Sequence, residues 1–287
     1  MPSPAHNLAA HRGIYGAPLP APALALPLPP QKLKLVSRGR LRKQWRYVAI
    51  HSPEVQLCAA TINVGPARQT FWAVWDRERQ ELFEGSHSRN VGVEAPEGRL
   101  LISDGDVSAE FDLSEVAGVE TITPAGKSWT WTRKQGGIPA TGVITVPGRT
   151  FEVNAPAIID DSAGYHDRNT DWRWCSGVGK LSDGRDVAWN FVNGIHDTAG
   201  ASEQTVWVEG NPFEVSECRI STDLSNTAFP TGERLDFHEE VVRSHYENKV
   251  VVRSRYSQPF GKFSGRLPHA GSLASGLGVM ETHSVVW

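Results

Sequence analysis

In DWRWCSGVGKLSDGRDVAWNFVNGIHD, residues 171–197, two runs rich in Val, Trp and Phe flank Asp183-Gly184. Such runs around an Asp-Gly pair form a β-hairpin, with strands near residues 171–181 and 186–196. A two-residue turn at Asp183-Gly184 puts Trp172, Trp174, Val178, Val187, Trp189, Phe191 and Ile195 on one face. The other face then carries Asp171, Arg173, Cys175, Gly177, Gly179, Ala188, Asn190, Gly194 and His196. A face this small and polar leaves room for a ligand. Alternatively it packs under the other half of the protein with its polar groups paired.

The same style runs along the chain. WRYVAI (45–50), VQLCAATINV (55–64), QTFWAVWD (69–76), RLLISD (99–104), DVSAEFDL (106–113), SWTWTRK (128–134) and TGVITV (141–146) read as strands, with turns at Asp104-Gly105 and Pro147-Gly148. No segment has helical periodicity long enough for a packed helix. These patterns predict an all-β protein of two antiparallel, barrel-like units, residues 40–155 and 156–287, the second carrying the site. Residues 1–39 form a proline-rich, basic segment: 8 of the 19 prolines lie in the first thirty residues. Such a lead is extended, poorly ordered, or wrapped over a barrel surface.

At 287 residues, with 39% hydrophobic and 21% charged residues, the chain can bury a sizeable core. Ten tryptophans beside two methionines favour strands and apolar pockets. No acid precedes Glu54, so the first fifty residues carry +8 and the remainder −11. Because a single aromatic, Tyr15, lies among the basic residues before Trp45, a solvated tether is favoured over a nucleic-acid partner. Cys58, Cys175 and Cys218 lack paired or zinc-type spacing. Prolines interrupt the apolar residues 17–30, which lack the charged start of a signal peptide, and no run reaches membrane-span length. The expectation is a cytoplasmic protein without stable membrane insertion; its oligomeric state stays open.

AGYHDRNTDWRW, residues 163–174, mixes ionisable groups with large aromatics as the wall of a site does. In GLGVMETHSVVW, residues 276–287, Val279, Glu281, His283, Val285 and Trp287 share a strand face, so Glu281 and His283 can orient one another. Burial among Trp172, Trp174 and Trp189 raises a carboxyl pKa, which suits proton donation to an alkene or a carbonyl. Asp161, Asp167, Asp171 and Glu281 are the candidate acids, with His166 or His196 as proton shuttle. We assign catalysis to Asp167, His166, Asp171 and Glu281, and substrate contact to Tyr165, Arg173, Asn190, His196 and His283. No cofactor is required, and no recognised metal-ligand spacing occurs. SGVGKLS (176–182) is not a phosphate loop, since Trp174 stands where its first glycine belongs. Neither a GxSxG elbow nor a dinucleotide GxGxxG occurs.

LRKQWRYVAIHSPEVQLCAATINVG (41–65), FWAVWD (71–76), GYHDRNTDWRWCSGVG (164–179), VAWNFVNGIHD (187–197), TVWVEG (205–210), QPFGKFSG (258–265) and GVMETHSVVW (278–287) resemble a bacterial family, domain of unknown function 2804. The resemblance covers nearly everything after residue 30. More distantly, the tandem antiparallel pattern, the Tyr-His-Asp motif and the Trp-rich second half are similar to the lipocalin-like hydratases and cyclases, typified by carotenoid 1,2-hydratase. That similarity implies two lipocalin-like barrels around a long apolar ligand. It also implies an acid region at Gly164, Tyr165, His166 and Asp167, and proton-driven addition or ring closure at a double bond. The functions left open are a hydratase, cyclase or isomerase of an isoprenoid- or polyketide-like molecule; a carrier or sensor for a hydrophobic small molecule; and a ligand-free structural protein.

Overall fold

The computed structural model describes residues 8–89, 91–248 and 253–287. Strands make up 66% of the chain and helix 1%, with the strands mostly in two large antiparallel sheets that curl into half-barrels. No helix among the described residues is long and apolar enough to cross a membrane.

Both sheets wind the same way. In the first, Lys43–His51 leads outward through Val55–Val64 and Ala67–Asp76 to Glu81–His87. On its other side it pairs with Arg149–Gly164, followed by Ser128–Val146, Val107–Leu113, Arg99–Asp104 and Val93–Glu94. The second repeats this with Asn169–Leu181 beside Gly271–Val286 at its centre. Polar contacts draw the ends of each curl together. Asp104 Oδ2 accepts from Trp72 Nε1 at 2.9 Å and lies 2.6 Å from His87 Nε2. In the second sheet, Arg173 Nη1 donates to the Ile220 carbonyl at 2.8 Å.

Alternation along the strands gives each sheet two buried faces. One face closes on its own core: Val48, Ile50, Leu57, Trp72 and Phe111 in the first half-barrel, and Trp189, Phe191, Leu235, Phe263 and Met280 in the second. The opposite faces pack against each other, where Tyr47, Phe71 and Trp75 meet Trp174, Val192 and Phe260. Val119 and Ile158 likewise meet Val178, Ala188 and Trp207. Gly136 permits this approach, since a Cβ there would lie 2.4 Å from Trp207 Cε3. A bulge follows between Gly136 and Ile138 and returns Ile138 to the first core.

The hairpin at 171–197 forms, but in another register. Leu181 N bonds the Arg185 carbonyl, so the loop has three residues, Ser182 to Gly184, and Trp174 pairs with Val192. Adding one loop residue exchanges the face of one strand relative to the other. Trp172, Trp174 and Val178 therefore share a face with Ala188, Asn190 and Val192, while Trp189 and Phe191 turn into the second core with Cys175. The expected glycine-lined space is filled: a Cβ on Gly177 would lie 2.5 Å from Trp189 Cζ2.

The chain passes between the sheets after Gly164, so the expected boundary at 155/156 falls inside the strand Arg149–Gly164. Pro156 lies just beyond the pairing with Lys43–His51, which starts at Ala157. Its missing N–H therefore falls where the strand is an edge.

Of the proline-rich lead, residues 1–7 lie outside the described residues. The rest wraps over the first sheet, and the free-tether alternative is set aside. His11–Ile14 pairs with Val119–Ala125. Leu8, Leu26, Leu28 and Leu33 bury against Ile122, Trp129, Trp131 and Tyr165. Apolar side chains between the prolines thus anchor the lead. Basic residues of the first fifty have internal partners: Arg12 of the lead donates to the Ser202 carbonyl at 2.6 Å, and Arg46 of the strand Lys43–His51 pairs with Asp161 and Glu115. Urea denaturation of Leu26→Ala is expected to show a loss of about 2–5 kcal/mol, the range for emptying a buried leucine site. Removal of residues 1–35 is expected to leave an aggregating protein, because it uncovers Trp129 and Trp131.

Candidate functional site

A cavity of about 660 Å³ lies between the two outward sheet faces. Trp45, Tyr47 and Phe71 line it from the first sheet, and Trp172, Trp174 and Tyr256 from the second. The edge-to-face contact of Tyr47 with Trp174, centroids 5.2 Å apart, bridges the sheets. Arg68, Arg168 and Arg243 also border it, and two buried polar groups lie among the aromatic residues.

The first centres on Glu281, which the strand Gly271–Val286 turns into the cavity wall. Trp172 Nε1 donates to its Oε1 at 2.8 Å, and Gln258 Nε2 donates to its Oε2 at 2.9 Å. The Gln258 carbonyl oxygen faces Cys58 Sγ at 3.4 Å and Tyr47 OH at 3.5 Å, an arrangement that directs the amide N–H groups at Glu281. Burial pushes the Glu281 carboxyl up to about 7, against the Trp172 bond and with the charge of Asp160. His283, two residues on, lies against Trp172 with centroids 4.3 Å apart, and its Nε2 is 2.8 Å from Ser254 Oγ. Burial lowers its pKa to about 3, so the ring is neutral.

The second group joins the sheets. Lys134 and Asp160 are cross-strand neighbours in the first sheet. Lys134 Nζ lies 2.5 Å from Asp160 Oδ1 and 3.2 Å from Glu203 Oε1, the latter from the loop after Asp186–Asn193. Burial raises the Asp160 pKa, with Lys134 opposing. Asn190 supports the cluster from behind, donating to the Glu203 carbonyl at 3.1 Å and accepting from Trp174 Nε1 at 2.8 Å. His196, on the same loop, holds Nδ1 3.3 Å from Thr123 Oγ1. Burial and then the Lys134 charge lower its pKa to about 3.

Of the residues expected at the site, Glu281, His196 and His283 line the cavity, and Asn190 supports its wall. The others lie elsewhere. Asp167 sits in the connection between sheets, its side chain 60% exposed and 2.5 Å from Arg40 Nη2. Asp171 is exposed because it alternates with Trp172 along the strand. His166 is buried behind the wall, its ring 5.7 Å from that of His196 and 5.0 Å from Trp45, with neither nitrogen bonded. Its pKa falls well below the usual histidine value through burial. Tyr165 donates to the Lys34 carbonyl at 2.8 Å and belongs to the core under the lead. Arg173 closes the second half-barrel, and Asp161 pairs with Arg46. The stretch 163–174 thus contributes Arg168, Trp172 and Trp174 to the wall, and its acids face away. Lys134, Asp160, Glu203 and Gln258 were not foreseen. For Asp160 a signal existed: in AIIDDSAG an acid pair follows two isoleucines inside a strand, and a charge there needs a partner or a purpose.

The family described as domain of unknown function 2804 matches residues 83–287. The chain belongs to this family. No curated protein sequence matches it. Among solved structures, kievitone hydratase from Nectria haematococca is similar at a TM-score of 0.51 and 10% identity, over 84% of this chain and 88% of that one. CghA with Sch210972 is similar at a TM-score of 0.38 and 10% identity, over 85% and 88% of the two chains. At 10% identity the likeness to kievitone hydratase shows a shared fold alone.

The neutral histidines fix a pH dependence. His196 and His283 have folded pKa values of about 3 against an ordinary 6.5, so the unfolded chain binds more protons between these limits. Their contribution is complete above pH 6.5 and is lost as pH falls toward 3. Glu281 acts oppositely, its raised pKa favouring the folded state less as pH climbs from 4.5 to about 7. Thermal melts across acid pH are expected to show a steep loss of stability, shallower in His283→Gln.

Proposed function

We propose that the protein is a cofactor-independent acid/base enzyme, a hydratase, cyclase or isomerase that takes an apolar isoprenoid- or polyketide-like small molecule into the cavity between its sheets. The observation that carries this reading is Glu281. Its carboxyl is buried, held at both oxygens by nitrogen donors, and half-protonated near pH 7, beside aromatic walls. A carboxylic acid so placed is poised to protonate a double bond or a carbonyl. The cation that develops meets the ring faces of Trp172, Trp174 and Tyr256. In hydration, water adds to that cation and its surplus proton returns to the Glu281 carboxylate. In ring closure or isomerisation, the substrate itself returns the proton. The fold shared with kievitone hydratase supports the hydratase form of this reading.

The second reading is a carrier or sensor in which Trp172 and Gln258 simply satisfy a buried carboxyl. Both readings take a hydrophobic small molecule as partner. Internal partners for Arg12 and Arg46 count against nucleic acid, and three buried free cysteines fit a reducing cytoplasm.

Mass spectrometry of isoprenoid and aromatic polyketide compounds incubated with the protein tests the proposal, since hydration adds one water and ring closure changes retention without changing mass. We expect kcat/KM to fall as pH rises through about 7, where Glu281 loses its proton. Glu281→Gln is expected to lower kcat by about 10²–10⁴-fold while ligands still bind. Binding without turnover in the unsubstituted protein would instead establish the carrier.

A further inference from the structure

The Lys134–Asp160–Glu203 cluster takes no part in proton transfer from Glu281, yet it borders the same cavity. Burying three ionisable groups is costly unless each polar atom is satisfied. As a clasp between the first sheet and the 194–204 loop, the cluster explains the contacts of Lys134 but not the atoms left over. Glu203 is 2% exposed, and its Oε2 accepts no hydrogen bond. Asp160 Oδ1 touches the Lys134 ammonium but receives no aligned bond, and His196 Nε2 has no partner. Lys134 Nζ has three hydrogens, and two carboxylates are its ion-pair partners among the described residues. Acceptors without donors and a donor to spare therefore meet in one wall of the cavity.

We infer that this cluster binds a hydroxyl group carried by the apolar ligand, so that the substrate class is a ring-bearing alcohol or phenol. The inference rests on the proposed function and narrows it. With a turn of the Glu203 carboxylate toward the cavity, a hydroxyl donates to it and accepts the remaining Lys134 hydrogen, which matches both deficits at once. A ketone or an ether only accepts, leaving the carboxylate oxygen unpaired. An ammonium group meets the charge of Lys134, and a ligand carboxylate meets two acids.

Isothermal titration calorimetry of the full-length protein with 2-naphthol, 2-methoxynaphthalene and 2-methylnaphthalene tests this. The methyl compound matches the hydroxyl in size, and the methoxy compound accepts without donating. The expected result is binding of 2-naphthol about tenfold tighter than either of the others. In Glu203→Gln and in Asp160→Asn the preference should shrink to within about threefold, with 2-methylnaphthalene affinity retained. In Glu281→Gln it should persist. Equal affinity for the three compounds overturns the inference and leaves the apolar cavity standing, whereas no binding of any overturns both. A preference that survives in both cluster variants, with native melting, also overturns it. Should those variants fail to fold, a preference that persists in Glu281→Gln supports the cluster, and one lost there overturns the inference.

Discussion

Trp207 lying on Gly136 sets how closely the two half-barrels approach, and much of the molecule follows from that contact. Around it Val119, Ile158, Val178 and Ala188 form an apolar seam. Elsewhere between the sheets, Trp75 and Arg77 reach Glu240, with Trp75 Nε1 at 3.2 Å and Arg77 Nη2 at 2.7 Å. Larger aromatic side chains line the remaining interface and leave the cavity open. Strands that must be apolar on both faces leave few places for charge, so an ionisable group there is a deliberate expense. Lys134, Asp160 and Glu281 occupy such places.

These charges depend on one another. Burial disfavours the ionised form of both carboxyls, and the charge of Asp160 raises the Glu281 pKa further. Lys134, the ion-pair partner of Asp160, opposes this effect at Asp160. The neutral histidines add polar edges without adding charge.

The all-β architecture was legible in the sequence because period-two alternation and Gly-containing turns are local signals. Which face each residue takes was less so. One additional loop residue at Ser182–Gly184 separated Trp174 from Trp189, and that difference lies in turn geometry rather than in composition. Glu281 and His283 were found from an acid and a histidine on an apolar strand face, and His196 from the polar face expected of the hairpin. Asp167 was misplaced because a motif shows which groups are near in sequence, not that Arg40 draws one of them outward. Glu203 was invisible, since its role depends on a loop folding back over the other sheet. The lead was read by its prolines, while the leucines between them determine its packing.

The winding used twice has a consequence for how the chain folds. In each half-barrel the central pair joins the first long strand to one far along the sequence: Lys43–His51 with Arg149–Gly164, and Asn169–Leu181 with Gly271–Val286. Every hairpin of a sheet can form locally, but its curl cannot close until that one distant pairing is made, and such pairings carry the largest loop-closure entropy. Gly271–Val286, which bears Glu281, leaves the ribosome after every other strand of its sheet. Until it arrives, Asn169–Leu181 and Arg253–Leu267 present open edges of the kind that recruit other chains. The strand that supplies the acid is therefore also the one that ends the period of aggregation risk during synthesis.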